Sequence, residues 1–394
     1  MPSGFFSPSQ VQTTQAPRLV PRCGQCKLYR GCKSPKMKPT GEGRKGILVI
    51  AEAPGEEEDK KGIQLIGRSG KLLRKILRKY KIDLDRDCWK TNACICRPEG
   101  TQSDKQILAC RPNVLKAIEE YQPKVIILLG ARAVKSLIGY VWKENVGAIG
   151  RWIGWQIPSQ QLNTWICPTY HPAYLLRQNQ EVLELHFSQH LKAAIELNGR
   201  PWEEVPDYGK QIQVVIDTTE AARLIRDIGE RGGEFAFDFE TTGLKPEPEW
   251  AEIVSCAICW EGKYTISYPW SGKAVEATGR LLKGDQGKIA HNAKFEARWV
   301  KAKLGHNVNN WVWDTMQAAH VLDNRGHTTS LKFRSFVRLG VGAYDERIAP
   351  FMKAKAPGQA NRVRDVDLHE LLTYGGMDAL YTFRLYEKQR EEVG

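Results

Sequence analysis

The chain has 394 residues and a formal net charge of +13. That length exceeds one ordinary domain and suits two, each with its own core, and the excess of Lys and Arg favours a polyanionic partner, nucleic acid ahead of a membrane surface, over an acidic small molecule. No stretch approaches the roughly 18 consecutive apolar residues of a membrane span, and no charged leader precedes an apolar run, which argues against membrane and secreted classes and predicts a cytoplasmic protein.

Residues 1–20 are rich in Gln, Pro, Ser and Thr without a period and read as a disordered leader. From Ile47 onward the apolar runs ILVIA, KVIILLG and TWICPTY alternate with amphipathic stretches such as GKLLRKILRKY and ARAVKSLIG. Strand and helix in alternation predict an open, mainly parallel α/β sheet. In RKILRKYK the cations Arg74, Lys75, Arg78 and Lys79 fall opposite Leu72, Leu73, Ile76 and Leu77, so they are expected on a solvated helix face, with DNA contact the lesser reading. After the helical EVLELHFSQHLKAAIELNG comes GRPWEEVPDYGKQ, with two prolines, two glycines and no period. The expected organisation is a domain over 21–199, a linker over 200–211 and a domain over 212–394. The second domain opens with QVVI and a helix, continues with the strands FAFDFE, IVSCAICW and KYTISYPW, and ends in helices around Phe295, Asp314, Leu331 and Leu371. That order predicts α/β with a mixed sheet.

FAFDFETTGL sets Asp238 and Glu240 two apart on a strand, so both carboxylates leave one face. IAHNAKFEARWV offers Glu296 on the first turn of a helix, and YGGMDALYTFRLY stacks Tyr374 and Asp378 on one helix face. Four carboxylates from separated segments can hold two divalent ions about 3.5 to 4 Å apart, the arrangement that most favours phosphodiester hydrolysis. Hard oxygen ligands suit Mg²⁺ or Mn²⁺, Tyr374 can position the attacking water, and no Ser or Cys nucleophile is required. Asp314, the acid that precedes a helix in WDTM, is expected to be an N-cap.

The ordered segments DFETTGL, HNAKFE with WDTM, and YGGMD resemble the three motifs of the DEDD 3′-5′ exonucleases, in the Tyr-containing branch found in the proofreading domains of family A DNA polymerases. The likeness runs from about Gln211 to the end. It implies a ribonuclease H-like (DnaQ-like) fold with Asp238, Glu240, Glu296 and Asp378 as ligands of two Mg²⁺ or Mn²⁺. It also implies Thr241 and Leu244 near the 3′-terminal nucleotide and Asn292 near its backbone. Glu296 stands where that family has Asp.

The chain holds ten cysteines, which without a secretion signal read as thiols or metal ligands. Cys23 and Cys26, with two residues between them, and the distant Cys96 and Cys110 could hold a 4Fe–4S cluster or a zinc ion. Cys32 competes with Cys26, while Cys88, Cys94 and Cys167 read as packed thiols. Around them AEAPGEEED, GIQLIGRSGKLL, TNACICRP and TYHPAYLLR resemble, in order, the iron–sulfur uracil-DNA glycosylases of family 4 over about Arg22 to Asn198. That resemblance implies a three-layer α/β/α domain and the ligand set Cys23, Cys26, Cys96 and Cys110 for a 4Fe–4S cluster. It implies further that Asn92 reads a flipped base through its amide, His171 donates at the base oxygen and Glu52 stands near the water. Ala51 replaces the first glycine of the family's GEAPG motif, Leu65 replaces the aromatic that stacks on the base, and the segment from Cys96 to Cys110 is shortened.

The two resemblances together are similar to the N-terminal portion of certain phage DNA polymerases. The expected function is 3′-5′ exonucleolysis of DNA by two-metal hydrolysis in proofreading or repair, with a first domain that binds DNA or a partner. One alternative has the first domain also excise uracil; another has both domains serve as a catalytically dead replication scaffold. The expected partners are DNA, as single strands or 3′ ends, and a polymerase present either as a separate chain or as the rest of a longer one. The expected location is the cytoplasm, that of the host if the chain is phage-encoded.

Overall fold

The computed structural model describes residues 20–142, 145–201, 207–356 and 358–393. The expected disordered leader lies outside the described residues apart from its last position, as does part of the expected linker. The chain divides into two compact units, residues 1–203 with 336–342, and residues 204–335 with 343–394. No helix among the described residues is long and apolar enough to cross a membrane.

The first unit is built on five strands: β1 (Ile47–Ala51), β2 (Cys88–Asn92), β3 (Val125–Leu129), β4 (Ile157–Ser159) and β5 (Thr164–Thr169). They lie in the order β2-β1-β3-β5-β4, with β4 antiparallel to β5 and the others parallel. ILVIA and VIILL are buried at every position, the pattern of parallel strands covered by helices on both faces. Ile47, Val49 and Ala51 pack with Leu73, Ile76 and Leu77 of the helix Arg68–Lys79 and with Phe187 and Leu191 of the helix Glu181–Glu196. The helix Ala131–Val141 packs on β1 and β3, completing the three-layer α/β/α sandwich.

One expected solvated cation is not solvated. The Arg74 side chain is 18 % exposed, pairs with Asp85 at 2.7 Å and donates to the Leu65 carbonyl at 2.5 Å. Its i−4 and i+3 neighbours Gly70 and Leu77 are buried, so the helix period puts Arg74 on the flank of the apolar face rather than opposite it. The guanidinium beside Asp85 holds that carboxyl down at about 2.

The second unit carries β6 (Ile212–Val214), β7 (Glu234–Thr241), β8 (Ile253–Trp260), β9 (Tyr264–Pro269), β10 (Gly287–Ala290) and β11 (Trp311–Asp314), in the order β11-β10-β7-β8-β9-β6. β7, β8 and β9 form an antiparallel meander, β10 and β11 run parallel to β7, and β6 runs parallel to β9. Antiparallel and parallel pairs together make the mixed sheet that the order of elements predicts. Alternation sorts β7 into two sets. Phe235, Phe237 and Phe239 enter an apolar core with Ile225, Leu281, Leu282 and Trp299 from three helices, while Asp238 and Glu240 face the other side with the helix Leu368–Val393. The double glycine of that helix has a packing reason. A Cβ on Gly376 would lie 2.4 Å from Ile212 Cγ2, and one on Gly375 3.4 Å from Glu240 Cγ. Each glycine weakens the helix by about 1 kcal/mol, and in exchange the helix lies close against the sheet, bringing Asp378 to the acidic pair.

Candidate functional site

Ligand atoms of Asp238, Glu240 and Asp378 all lie within 4.8 Å of one another. Glu296 stands outside that set. It lines the same cavity of about 940 Å³, is buried, and accepts from the backbone N–H of Phe239, while its Oε2 has no hydrogen-bond partner. Thr241, Asn292 and Tyr374 share the cavity wall, and Leu244, 85 % exposed, projects beside it. Asn292 takes a left-handed backbone (φ 74°) ahead of the helix Ala293–Leu304. Asp314 caps twice: its Oδ1 accepts from Asn292 N at 3.0 Å and Met316 N at 2.9 Å, and its Oδ2 from Ala293 N at 2.9 Å. The acid expected as an N-cap thus holds both its own helix and the one that carries Glu296.

Burial pushes the carboxyls of Asp238, Glu240 and Glu296 well above their ordinary range, and the neighbouring carboxylates push them further. Burial lifts Asp378 to about 7, against the hydroxyls of Tyr344 and Tyr374, which lower it. Buried like charges of this kind fit a divalent cation, whose field reverses the repulsion. The sign for stability follows from linkage. Between the ordinary 3.8 and about 7 the folded chain keeps a proton on Asp378 that the unfolded chain has released, so stability falls as pH rises through that window and is not penalised below it. Carrying one carboxyl that far corresponds to about 4 kcal/mol. In EDTA the melting temperature should therefore drop between pH 4 and 8, and excess Mn²⁺ should restore it at the upper end. Equal pH profiles with and without metal would contradict this account.

Tyr344 is a site residue that sequence reasoning missed. It lies in the irregular stretch after the helix Leu331–Leu339, and its hydroxyl donates to Asp378 Oδ1 at 2.5 Å. GVGAYDER has neither a strand nor a helix period, so only the tertiary fold reveals it.

In the first unit the expected pocket residues sit at the carboxyl ends of the parallel strands, where open α/β sheets gather their sites. Glu52 follows β1, Asn92 ends β2 and His171 follows β5. Glu52 Oε1 accepts from Arg132 N at 3.1 Å. Gly130 (φ 91°) brings Glu52 and His171 together, since a Cβ there would lie 2.6 Å from Glu52 Oε1 and 2.9 Å from His171 Cβ. His171 Nδ1 accepts from Ala173 N at 3.1 Å, and burial lowers its pKa against the pull of Glu52. The imidazole is therefore neutral near pH 7 with its proton on Nε2. Asn92 is fully buried. Its Nδ2 donates to Gln64 Oε1, Gln64 Nε2 donates to the Lys38 carbonyl at 3.3 Å, and Asn92 Oδ1 has no partner. Gln64 was also missed, although it stands beside Leu65 in GIQLIG. Leu65 is buried with a left-handed backbone (φ 54°), its carbonyl held by Arg74.

Cys23, Cys26, Cys96 and Cys110 line one small enclosure, and so does Cys94. Cys94 was expected to be merely packed, yet its thiol donates to Cys110. That bond leads the causes that lower Cys110 to about 7, whereas burial raises Cys96 to about 11. Backbone N–H groups aim at sulfur: Lys36 N at 3.2 Å from Cys96 and Ile95 N at 3.4 Å from Cys110. Cys32 Sγ donates to the carbonyls of Leu28 at 3.1 Å and Arg97 at 3.4 Å and accepts from the Cys96 thiol. The donor set is all sulfur, which suits a soft thiolate-bound group.

Residues 39–197 match the uracil DNA glycosylase superfamily and residues 212–393 match a 3′-5′ exonuclease family. A type-4 uracil-DNA glycosylase of Saccharolobus solfataricus is 34 % identical over 167 residues, 40 % of this chain and 74 % of the relative. A DNA polymerase of Bacillus phage SP01 is 26 % identical over 389 residues, 89 % of this chain but only 40 % of the polymerase, so the chain spans less than half of that relative. Among solved structures the catalytic core of RRP6 from Trypanosoma brucei aligns with a TM-score of 0.35 at 17 % identity, covering 45 % of each chain.

Proposed function

We propose, starting from a chain that belongs to the uracil-DNA glycosylase superfamily over residues 39–197 and carries a 3′-5′ exonuclease domain over residues 212–393, that the second unit trims DNA from its 3′ end while the first holds DNA. The observation that carries this is the convergence of Asp238, Glu240 and Asp378, from a strand and a distant helix, to within 4.8 Å. With Glu296 on the same wall they would hold two Mg²⁺ or Mn²⁺. Such a pair, when bound, activates water and stabilises the leaving oxygen. The chain's own groups do the rest. Tyr374 faces the cavity and orients the attacking water, Thr241 and Leu244 bracket the terminal nucleotide, and Asn292 approaches its backbone. The +13 charge draws the polyanion in.

The likeness to a phage DNA polymerase supports proofreading beside a polymerase as the setting. The test is digestion of 5′-labelled DNA and RNA of one sequence, with Mg²⁺, Mn²⁺ or EDTA. A metal-dependent ladder shortening from the 3′ end of DNA is expected; no shortening, or release of the 5′ label, would refute the reading.

A second reading, uracil excision by the first unit, is favoured by the unpartnered Asn92 Oδ1. A buried acceptor suits the N3–H of uracil and rejects cytosine, which offers a lone pair there. Neutral His171 would donate from Nε2 to the base oxygen, and Glu52 would hold the water. Leu65 weakens this pocket, because base stacking on an aromatic is worth about 1 to 3 kcal/mol. Leu65→Phe should accordingly tighten binding of uracil-containing single strands about ten- to a hundredfold, with abasic product appearing or rising in parallel. If affinity and product are both unchanged, Leu65 is not what limits the pocket.

The sulfur-lined enclosure would hold a 4Fe–4S cluster on Cys23, Cys26, Cys96 and Cys110. The likeness to the type-4 uracil-DNA glycosylases supports the cluster over a single zinc.

A further inference from the structure

We propose that Tyr344 is a positioning residue of the exonuclease site, holding Asp378 and the Tyr374 ring from behind so that two tyrosines serve one carboxylate. The hydroxyl of Tyr344 donates to Asp378 Oδ1 at 2.5 Å. Its ring stacks on Tyr374, with centroids 5.9 Å apart and planes 24° apart, and meets Tyr381 edge-on at 4.9 Å. Tyr374 and Asp378 line the substrate cavity, whereas Tyr344 is not among its lining residues. The two phenols therefore divide the work: one faces the reacting groups and one supports them.

The segment that delivers Tyr344 is pinned. Asp345 pairs with Lys332 at 2.5 Å, both side chains less than one-fifth exposed, and its carbonyl accepts from Ile348 N at 2.9 Å and Ala349 N at 2.8 Å. A phenol so held, together with the Tyr374 hydroxyl that bonds the same carboxylate, stops Asp378 from turning about its Cβ–Cγ bond. Through the ring stack it also limits the tilt of Tyr374. Hydrogen bonds to charged groups at this separation are among the stronger ones in proteins.

This rests on the proposed role of Asp378 as a metal ligand. The test uses the full chain with Mn²⁺ as probe, binding read by the electron paramagnetic resonance of free Mn²⁺, and kcat and KM measured on single-stranded DNA. Tyr344→Phe keeps both ring contacts. It should weaken Mn²⁺ binding about ten- to a hundredfold and lower kcat at limiting metal, with KM for DNA unchanged; high Mn²⁺ should restore kcat. Tyr374→Phe should lower kcat even at saturating Mn²⁺, because its hydroxyl faces the reacting groups. Unchanged Mn²⁺ affinity in Tyr344→Phe overturns the proposal while leaving the ligand reading intact, and failure of the wild type to take up Mn²⁺ sinks both. Should Tyr344→Phe also melt earlier, Tyr344→Gln decides: recovered Mn²⁺ affinity with a donor but no ring supports the hydroxyl's role, and no recovery refutes it.

Discussion

Asp238→Ala should abolish 3′-terminal hydrolysis, lowering the single-turnover rate by about three decades or more. The charge of Asp238 acts on both Glu240 and Glu296, and it lies within 4.8 Å of Asp378 as well. Metal-assisted charge stabilisation is worth several kcal/mol, and about 4 kcal/mol is three decades in rate. The change should not weaken the fold. It removes one of several buried like charges, so the metal-free melting temperature should hold or rise, which separates lost chemistry from lost structure. DNA binding by the first unit should stay as it was. A rate within tenfold of wild type would remove Asp238 from the machinery and with it the two-metal reading.

The parts of this site that follow a local period are legible in the sequence. Strand alternation puts Asp238 and Glu240 on one face, the helical repeat puts Tyr374 and Asp378 on another, and a single acid before WDTM's helix reads as the cap it is. The doubled glycine before Asp378 announces a close approach, although not the partner, which is Ile212. Tyr344 lies beyond such reasoning, because an irregular segment carries no period and its partner is far away in sequence. Cys94 follows the end of β2 in a run of bends over residues 93–96, so no strand period marks it, and only the tertiary fold brings its thiol to Cys110. Arg74 shows a different failure. Charge alone assigned it to water, while its i−4 and i+3 neighbours are buried and its guanidinium finds an anion in Asp85 and a carbonyl in Leu65.

Cys110→Ser should bleach the protein and unfold its first unit on mild heating. The wild type, purified without oxygen, is expected to absorb broadly in the visible, as a 4Fe–4S centre does and zinc does not. Serine offers a hard oxygen where the group needs a soft thiolate. Cys110 is also the most fully prepared of the set, its thiol lowered to about 7 by the bond from Cys94 and by Ile95 N–H and Asn113. A group bound only by the folded chain adds its binding free energy to folding. Losing even about 3 kcal/mol of it would lower the melting temperature of a unit this size by roughly 10 °C, while the exonuclease of the second unit should persist. Cys32→Ser supplies the contrast, since its thiol is turned to the carbonyls of Leu28 and Arg97: colour and melting temperature should both survive. Bleaching by Cys32→Ser but not by Cys26→Ser would exchange those two ligands, and a colourless wild type that contains zinc would replace the cluster altogether.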